Sequence, residues 1–187
     1  MIKEIINETT DVVVAAVKGA DDIFGAVTST VKSQVVNTLK GSGEISNTGV
    51  DVVASVASGA IKGAGQVGVS LTDVASGTMS GVISGASEVG SDVISAIHGG
   101  AKGVVQATAE TGGDVGTAAV TVVEEAIKSA GNVGVDSAEA IKAAVGGVMG
   151  AAASIGGDGA QKVRDALLAT AALPRDVIES VFKGDNK

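Results

Sequence analysis

Residues 68–89 read GVSLTDVASGTMSGVISGASEV, and residues 90–111 read GSDVISAIHGGAKGVVQATAET. Both stretches open with glycine and hold small or apolar residues at matching places, separated by steps of three, one, three, three and one positions. This spacing recurs every eleven residues and keeps its phase over residues 2–177, as sixteen units. Because residues three and four apart share one face of an α-helix, the pattern predicts an all-α protein.

The repeat length also bears on how the helices are arranged. Eleven residues in three turns is about 3.67 residues per turn, more than a straight helix has, and such a period favours a right-handed supercoil. Two architectures fit. The favoured one is a long, extended, non-globular coiled-coil helix, because turns normally change the helical phase and here the phase survives. In the other, each Gly-x-Asp site, such as Gly90–Asp92, breaks the chain into a helical hairpin or solenoid.

The glycine content predicts self-association. Each of the 28 glycines costs a helix about 0.8–1 kcal/mol relative to alanine, so a lone helix of this sequence should be poorly folded. Packing against a second chain would offset this, most simply in an antiparallel homodimer. The expected seam residues include Thr78, Val82, Ile83, Ala86, Val93, Thr111, Val115 and Ala119. One repeat domain, residues 2–177 or eight 22-residue units, would be followed by a tail, residues 178–187.

A second glycine pattern points to close helix packing. Gly77, Gly81 and Gly85 are spaced by four residues and form a glycine zipper, a motif through which helices approach each other closely. Such motifs join helices in membranes, but close packing in a soluble bundle is the favoured interpretation here.

Composition narrows the possible functions. The net charge of −8 argues against a nucleic-acid partner, which needs a basic surface. The chain has no cysteine, and His98 is its single histidine. The sequence therefore offers no catalytic triad or cysteine–histidine pair, and no enzyme activity, cofactor or metal is expected. The longest charge-free run, residues 143–157, is shorter than the roughly 20 residues of a membrane span. The first residues show no secretory signal, which suits a cytoplasmic protein or a released, mature one.

The whole repeat resembles the glycine-rich bacterial proteins that bind gas clathrate hydrates, and it is similar in pattern to α-helical antifreeze proteins with eleven-residue repeats. The antifreeze motif is Thr-x₃-Ala-x₃-Ala-x₂. The two nearest matches, each with valine in the middle place, are Thr78-x₃-Val82-x₃-Ala86 and Thr111-x₃-Val115-x₃-Ala119. The resemblance implies a non-enzymatic protein that binds gas hydrate or ice and inhibits crystal growth.

The position of these motifs affects where binding would occur. Both matches fall in the predicted seam, so the binding surface is expected outside it, at apolar positions such as Val69 and Val135. Two alternatives stay open. One is an amphipathic lipid-surface or stress-protectant protein, disfavoured because bulky insertion residues are scarce. The other is a structural coiled-coil spacer, disfavoured because glycine occupies many seam positions.

Overall fold

The computed structural model describes residues 1–42 and 47–184, and these form nine α-helices and no β-strand. The helices are α1 (Ile2–Val17), α2 (Ile23–Ser42), α3 (Asn47–Val67), α4 (Leu71–Glu88), α5 (Val93–Glu110), α6 (Val115–Asn132), α7 (Ser137–Ile155), α8 (Gly159–Ala169) and α9 (Arg175–Gly184). The all-α prediction is confirmed.

The helices stack in two layers. From α1 to α7, each helix packs most extensively against a helix two places away in the chain, so α1, α3, α5 and α7 form one layer and α2, α4, α6 and α8 the other. Helices within a layer run parallel, since Gly59 of α3 lies against Ile6 of α1 and Gly63 lies against Thr10. In the described parts of the chain, loops of three to five residues join successive helices. Across the layers, helices joined by such short loops are antiparallel.

The single extended helix expected from the unbroken phase does not form. Helices α4, α5, α6 and α7 start at Leu71, Val93, Val115 and Ser137, which are each 22 residues apart. Because these units are interrupted at the same place, the phase survives from one helix to the next without helical continuity. The solenoid alternative describes the chain, and the phase argument for one helix was wrong.

The turns before α5, α6 and α7 each combine a glycine that ends one helix with an aspartate that caps the next. Gly90 has a φ of +69°, and the backbone N–H of Ser91 donates to the Ala86 carbonyl oxygen at 2.9 Å. This is a Schellman C-cap, in which glycine takes the left-handed conformation without a Cβ penalty. Two residues later, Asp92 accepts hydrogen bonds from the backbone N–H groups of Ile94 and Ser95. Gly112 with Asp114 and Gly134 with Asp136 repeat the arrangement.

The core lies between the two layers and consists mainly of valine, alanine and isoleucine. Ile61, Met79 and Ile83 are among its largest fully buried side chains. The apolar faces therefore find partners within one chain, which removes the reason for which a homodimer was predicted. The domain boundary predicted at residue 177 falls inside α9, and Ile178 beyond it is fully buried. Residues 178–184 thus continue the helical fold.

Most predicted seam residues lie in this core. Val93 and Val115 start α5 and α6 and are half-buried. The fully buried members are Thr78, Val82, Ile83, Ala86 and Ala119. Thr111 is the exception: it is the exposed C-cap residue of α5, and its hydroxyl donates to the Ala107 carbonyl oxygen at 3.0 Å. Its place in the predicted seam is corrected, since the turn takes it out of the buried face.

Candidate functional site

The two positions predicted for a binding surface do not come together. Val69 lies in the loop from α3 to α4 and Val135 in the loop from α6 to α7. The first loop passes from the odd-numbered layer to the even-numbered one and the second passes back, so the two loops lie at opposite ends of the helices. Both side chains are half-buried and pack against the core. They stabilise the turns rather than form a common face.

Glycines set the spacing within each layer. A Cβ atom built on Gly59 of α3 would lie 2.6 Å from the carbonyl oxygen of Ile6 on α1. A Cβ atom built on Gly81 of α4 would lie 2.7 Å from the carbonyl oxygen of Thr28 on α2. Gly103 of α5 and Gly147 of α7 lie against the backbone of the preceding helix of their layer in the same way. The glycine zippers thus pack helices closely, as their spacing predicted.

Glu125 breaks this series. Gly59, Gly81, Gly103 and Gly147 all occur at the same place in the 22-residue unit, and position 125 of α6 is the equivalent place. The glutamate there has only 6% of its surface exposed. Ser76 of α4 donates to Glu125 Oε2 at 2.8 Å, and Ser129 donates to Glu125 Oε1 at 2.7 Å. The contact between α4 and α6 is also less extensive than that between α2 and α4.

A cleft of about 430 Å³ opens beside this glutamate, and we call it the Glu125 cleft. It is lined by residues from α2, α4 and α6, namely Phe24, Thr72, Asp73, Ser76, Thr121, Glu124, Glu125 and Lys128. The Lys128 ammonium lies 3.7 Å from Glu125 Oε2 and 5.5 Å from the centre of the Phe24 ring. Sequence reasoning missed this cleft, although an acid at a glycine position of the repeat was visible in the sequence.

A second groove runs between α6 and α8 and contains no charged side chain in its lining. We call it the α6–α8 groove; its volume is about 350 Å³ and it is lined by Gly116, Thr117, Val120, Thr121, Ala166 and Thr170. Thr117 is exposed and Val120 half-exposed, one helical turn along from each other. Thr170 donates its hydroxyl hydrogen to the Ala166 carbonyl oxygen at 2.9 Å, which holds its side chain in place.

Hydrogen bonds at the helix N-termini lower the pKa of two aspartates near the turns. The hydroxyl of Ser95, 2.7 Å from Asp92 Oδ2, and the backbone N–H groups of Ser95 and Ile94 lower the pKa of Asp92. The N–H groups of Thr117 and Gly116 lower the pKa of Asp114. Within residues 1–42 and 47–184, no three histidine or acidic side chains are arranged to hold a metal ion.

One helix is apolar enough to raise the question of a membrane span. Helix α7 (Ser137–Ile155) is long and apolar enough to cross a membrane, but 56% of its most apolar window is buried in the fold, as in a core helix of a soluble protein.

Neither a scan against protein-family models nor a search of curated proteins matches this chain. Function is therefore inferred from the two grooves.

Proposed function

We propose that the protein binds an ordered-water solid, gas hydrate in preference to ice, and slows its growth through the α6–α8 groove. One observation carries this proposal. In a chain with a net charge of −8, the groove is lined only by threonine, valine, alanine and glycine. Such a surface offers methyl groups and hydroxyls and no ion that would disturb ordered water.

The chemistry of the groove suits a caged-water lattice. The apolar guests of a clathrate occupy cages of hydrogen-bonded water, and the methyl groups of Val120, Thr117 and Ala166 can take the place of guests at the crystal surface. A hydroxyl such as that of Thr117 can join the water network with little loss in hydrogen-bond energy. Binding of this kind needs fixed positions, because ordering a mobile surface costs entropy. Helices carry these side chains on a rigid backbone.

The other functions considered have less support. Lipid insertion uses bulky apolar residues on one face. Among the described residues, the exposed large apolar side chains are Met1, Ile2, Val12 and Ile155, on α1 and α7 and at the start of the chain. A coiled-coil spacer needs a rod, whereas the described helices turn back on one another in two layers.

Self-association in an antiparallel homodimer stays a prediction. At the free edge of α2, Ser33 and Asn37 occupy the places that Gly77 and Gly81 hold in α4. Both are exposed and polar, so they resemble the polar capping units that end repeat arrays. A dimer would therefore need a contact other than a continuation of this layer.

The test compares two lysine substitutions. Val120→Lys places a charge in the α6–α8 groove, and Ala153→Lys places one on an exposed position of α7, in the other layer. Growth rates of tetrahydrofuran hydrate and of ice are measured with each protein, after circular dichroism has shown equal folding. We expect the parent and Ala153→Lys to slow hydrate growth and Val120→Lys to lose most of that effect. Equal inhibition by both variants would overturn the assignment to the groove.

A further inference from the structure

We infer that the Glu125 cleft is a separate binding site for a linear aliphatic polyamine, with one ammonium group held between the Glu125 carboxylate and the Phe24 ring. This site lies between α2, α4 and α6 and shares only Thr121 of its lining with the α6–α8 groove. It does not depend on the function proposed for that groove.

The first step is the interruption of the repeat. Four helices have glycine at the place of Glu125, and in each of them the glycine lets two backbones touch. In α6 a carboxylate occupies that place and is almost removed from water. Burying a carboxylate is costly unless charges and hydrogen bonds compensate it. Here the Ser76 and Ser129 hydroxyls and the Lys128 ammonium supply that compensation. This polar arrangement sets the α4–α6 contact apart from the glycine contacts of the other helices, and we infer that it has a role beyond packing.

The second step is the chemistry already present in the cleft. The Lys128 ammonium lies near both the Glu125 carboxylate and the face of Phe24, an arrangement that favours a cation through charge and cation–π attraction. Its side chain is 68% exposed, so it can leave this place without disturbing the core. We therefore regard Lys128 as an ammonium tethered to the chain, which a ligand ammonium can replace.

The third step is the charge and size of the cleft. Asp73, Glu124 and Glu125 place three carboxylates in its lining against the single ammonium of Lys128. This balance attracts cations and repels anions. The volume of about 430 Å³ lies within the usual range of small-molecule sites, roughly 300–1,000 Å³. The three carboxylates are not grouped closely enough to hold one metal ion. They therefore match a ligand with several separated ammonium groups better than they match a single small ion.

The experiment measures spermidine binding by isothermal titration calorimetry with four variants of the full chain. Glu125→Gln removes the buried charge and keeps its shape. Glu125→Gly restores the glycine of the other repeats, and circular dichroism checks that this variant is folded. Glu8→Gln removes an exposed charge on α1 and is the matched control. Lys128→Met removes the competing ammonium.

We expect spermidine to bind the parent and Glu8→Gln alike. Both Glu125 variants should weaken binding at least tenfold, and Lys128→Met should tighten it severalfold. An uncharged molecule of similar length, 1,6-hexanediol, should not bind. The inference is overturned if the parent does not bind spermidine, or if Glu8→Gln and Glu125→Gln weaken binding equally. Hydrate growth inhibition should be unchanged by Glu125→Gly, which separates this site from the α6–α8 groove.

Discussion

Gly81 of α4 and Thr28 of α2 touch through their backbones: a Cβ atom on Gly81 would lie 2.7 Å from the Thr28 carbonyl oxygen. The same Cβ would lie 2.9 Å from the Cβ atom of Val31. Real Cβ atoms do not approach that closely, so any side chain at position 81 must push α2 and α4 apart. The glycines that weaken the helices individually are therefore what allow the layer to pack.

Gly81→Ala should destabilise the protein by about 1–3 kcal/mol, because overpacking forces the backbones of α2 and α4 to shift. Gly150→Ala should do the opposite. Gly150 is exposed in the middle of α7 and a Cβ there meets nothing within 4 Å, so alanine should add about 0.8–1 kcal/mol of helix propensity. Urea unfolding of both variants measures the two effects. Equal changes in the free energy of unfolding would show that the Gly81 contact is not close.

Thr78→Val should stabilise the protein by about 1 kcal/mol. The Thr78 side chain is fully buried, and its hydroxyl has no hydrogen-bond partner within the described parts of the chain. An unsatisfied buried hydroxyl costs free energy that a methyl group of the same shape does not. Thermal unfolding compares this variant with Thr108→Val, in which the lost hydroxyl donates to the Val104 carbonyl oxygen at 2.8 Å. A lower melting temperature for Thr78→Val would show that its hydroxyl is paired.

Gly90→Ala should destabilise the protein by about 1–2 kcal/mol, since L-residues disfavour the left-handed conformation that Gly90 adopts at φ +69°. A Cβ atom there meets no other atom within 4 Å, so the effect would come from backbone strain alone. Gly131→Ala is the control, because position 131 lies in the last turn of α6 with equal space and no positive φ. The unfolding free energy of the control should stay equal or rise. A similar loss in both variants would contradict the strained turn.

The sequence predicted the helices, their buried face and the glycine contacts, because these follow from residue spacing within a single helix. It failed on the connectivity of the helices. A turn placed at Gly90 and again at Gly112 keeps the eleven-residue phase intact, so periodicity alone cannot distinguish a rod from a stack. The Gly-x-Asp sites were visible in the sequence as local turn signals. They end the helices even though the eleven-residue phase continues through them.

The two grooves could not be predicted in the same way. The α6–α8 groove joins Thr117 to Ala166, which are far apart in sequence and meet only after the layers form. The Glu125 cleft joins Phe24 to Lys128 across an even greater separation. Glu125 itself was detectable as the one acid in a series of glycines, and that comparison requires the 22-residue register that the turns define.

Two N-cap aspartates, Asp92 and Asp114, have a lowered pKa in the folded protein, so stability depends on acid pH. Asp92 shows the direction of the effect. Hydrogen bonds from the Ser95 hydroxyl and from the N–H groups of Ser95 and Ile94 lower the pKa of Asp92 in the folded protein. In the unfolded chain this group has its ordinary pKa, about 3.9. Its charged form therefore stabilises the fold above that pH, and the stabilisation is lost as the pH falls through the lowered pKa.

Asp92→Asn keeps a good N-cap residue but removes the titrating charge from the N-terminus of α5. We expect the parent to be more stable than the variant at pH 6, by about 0.3–1 kcal/mol, which is the usual size of a charge–helix interaction at an exposed terminus. The difference should stay constant down to about pH 5 and then shrink towards zero as the pH falls through the lowered pKa of Asp92, because the parent then loses the charge that the variant lacks. Urea unfolding of both proteins from pH 6 to pH 2.5 measures this. A difference that grows as the pH falls would mean that the pKa of Asp92 is raised in the folded protein.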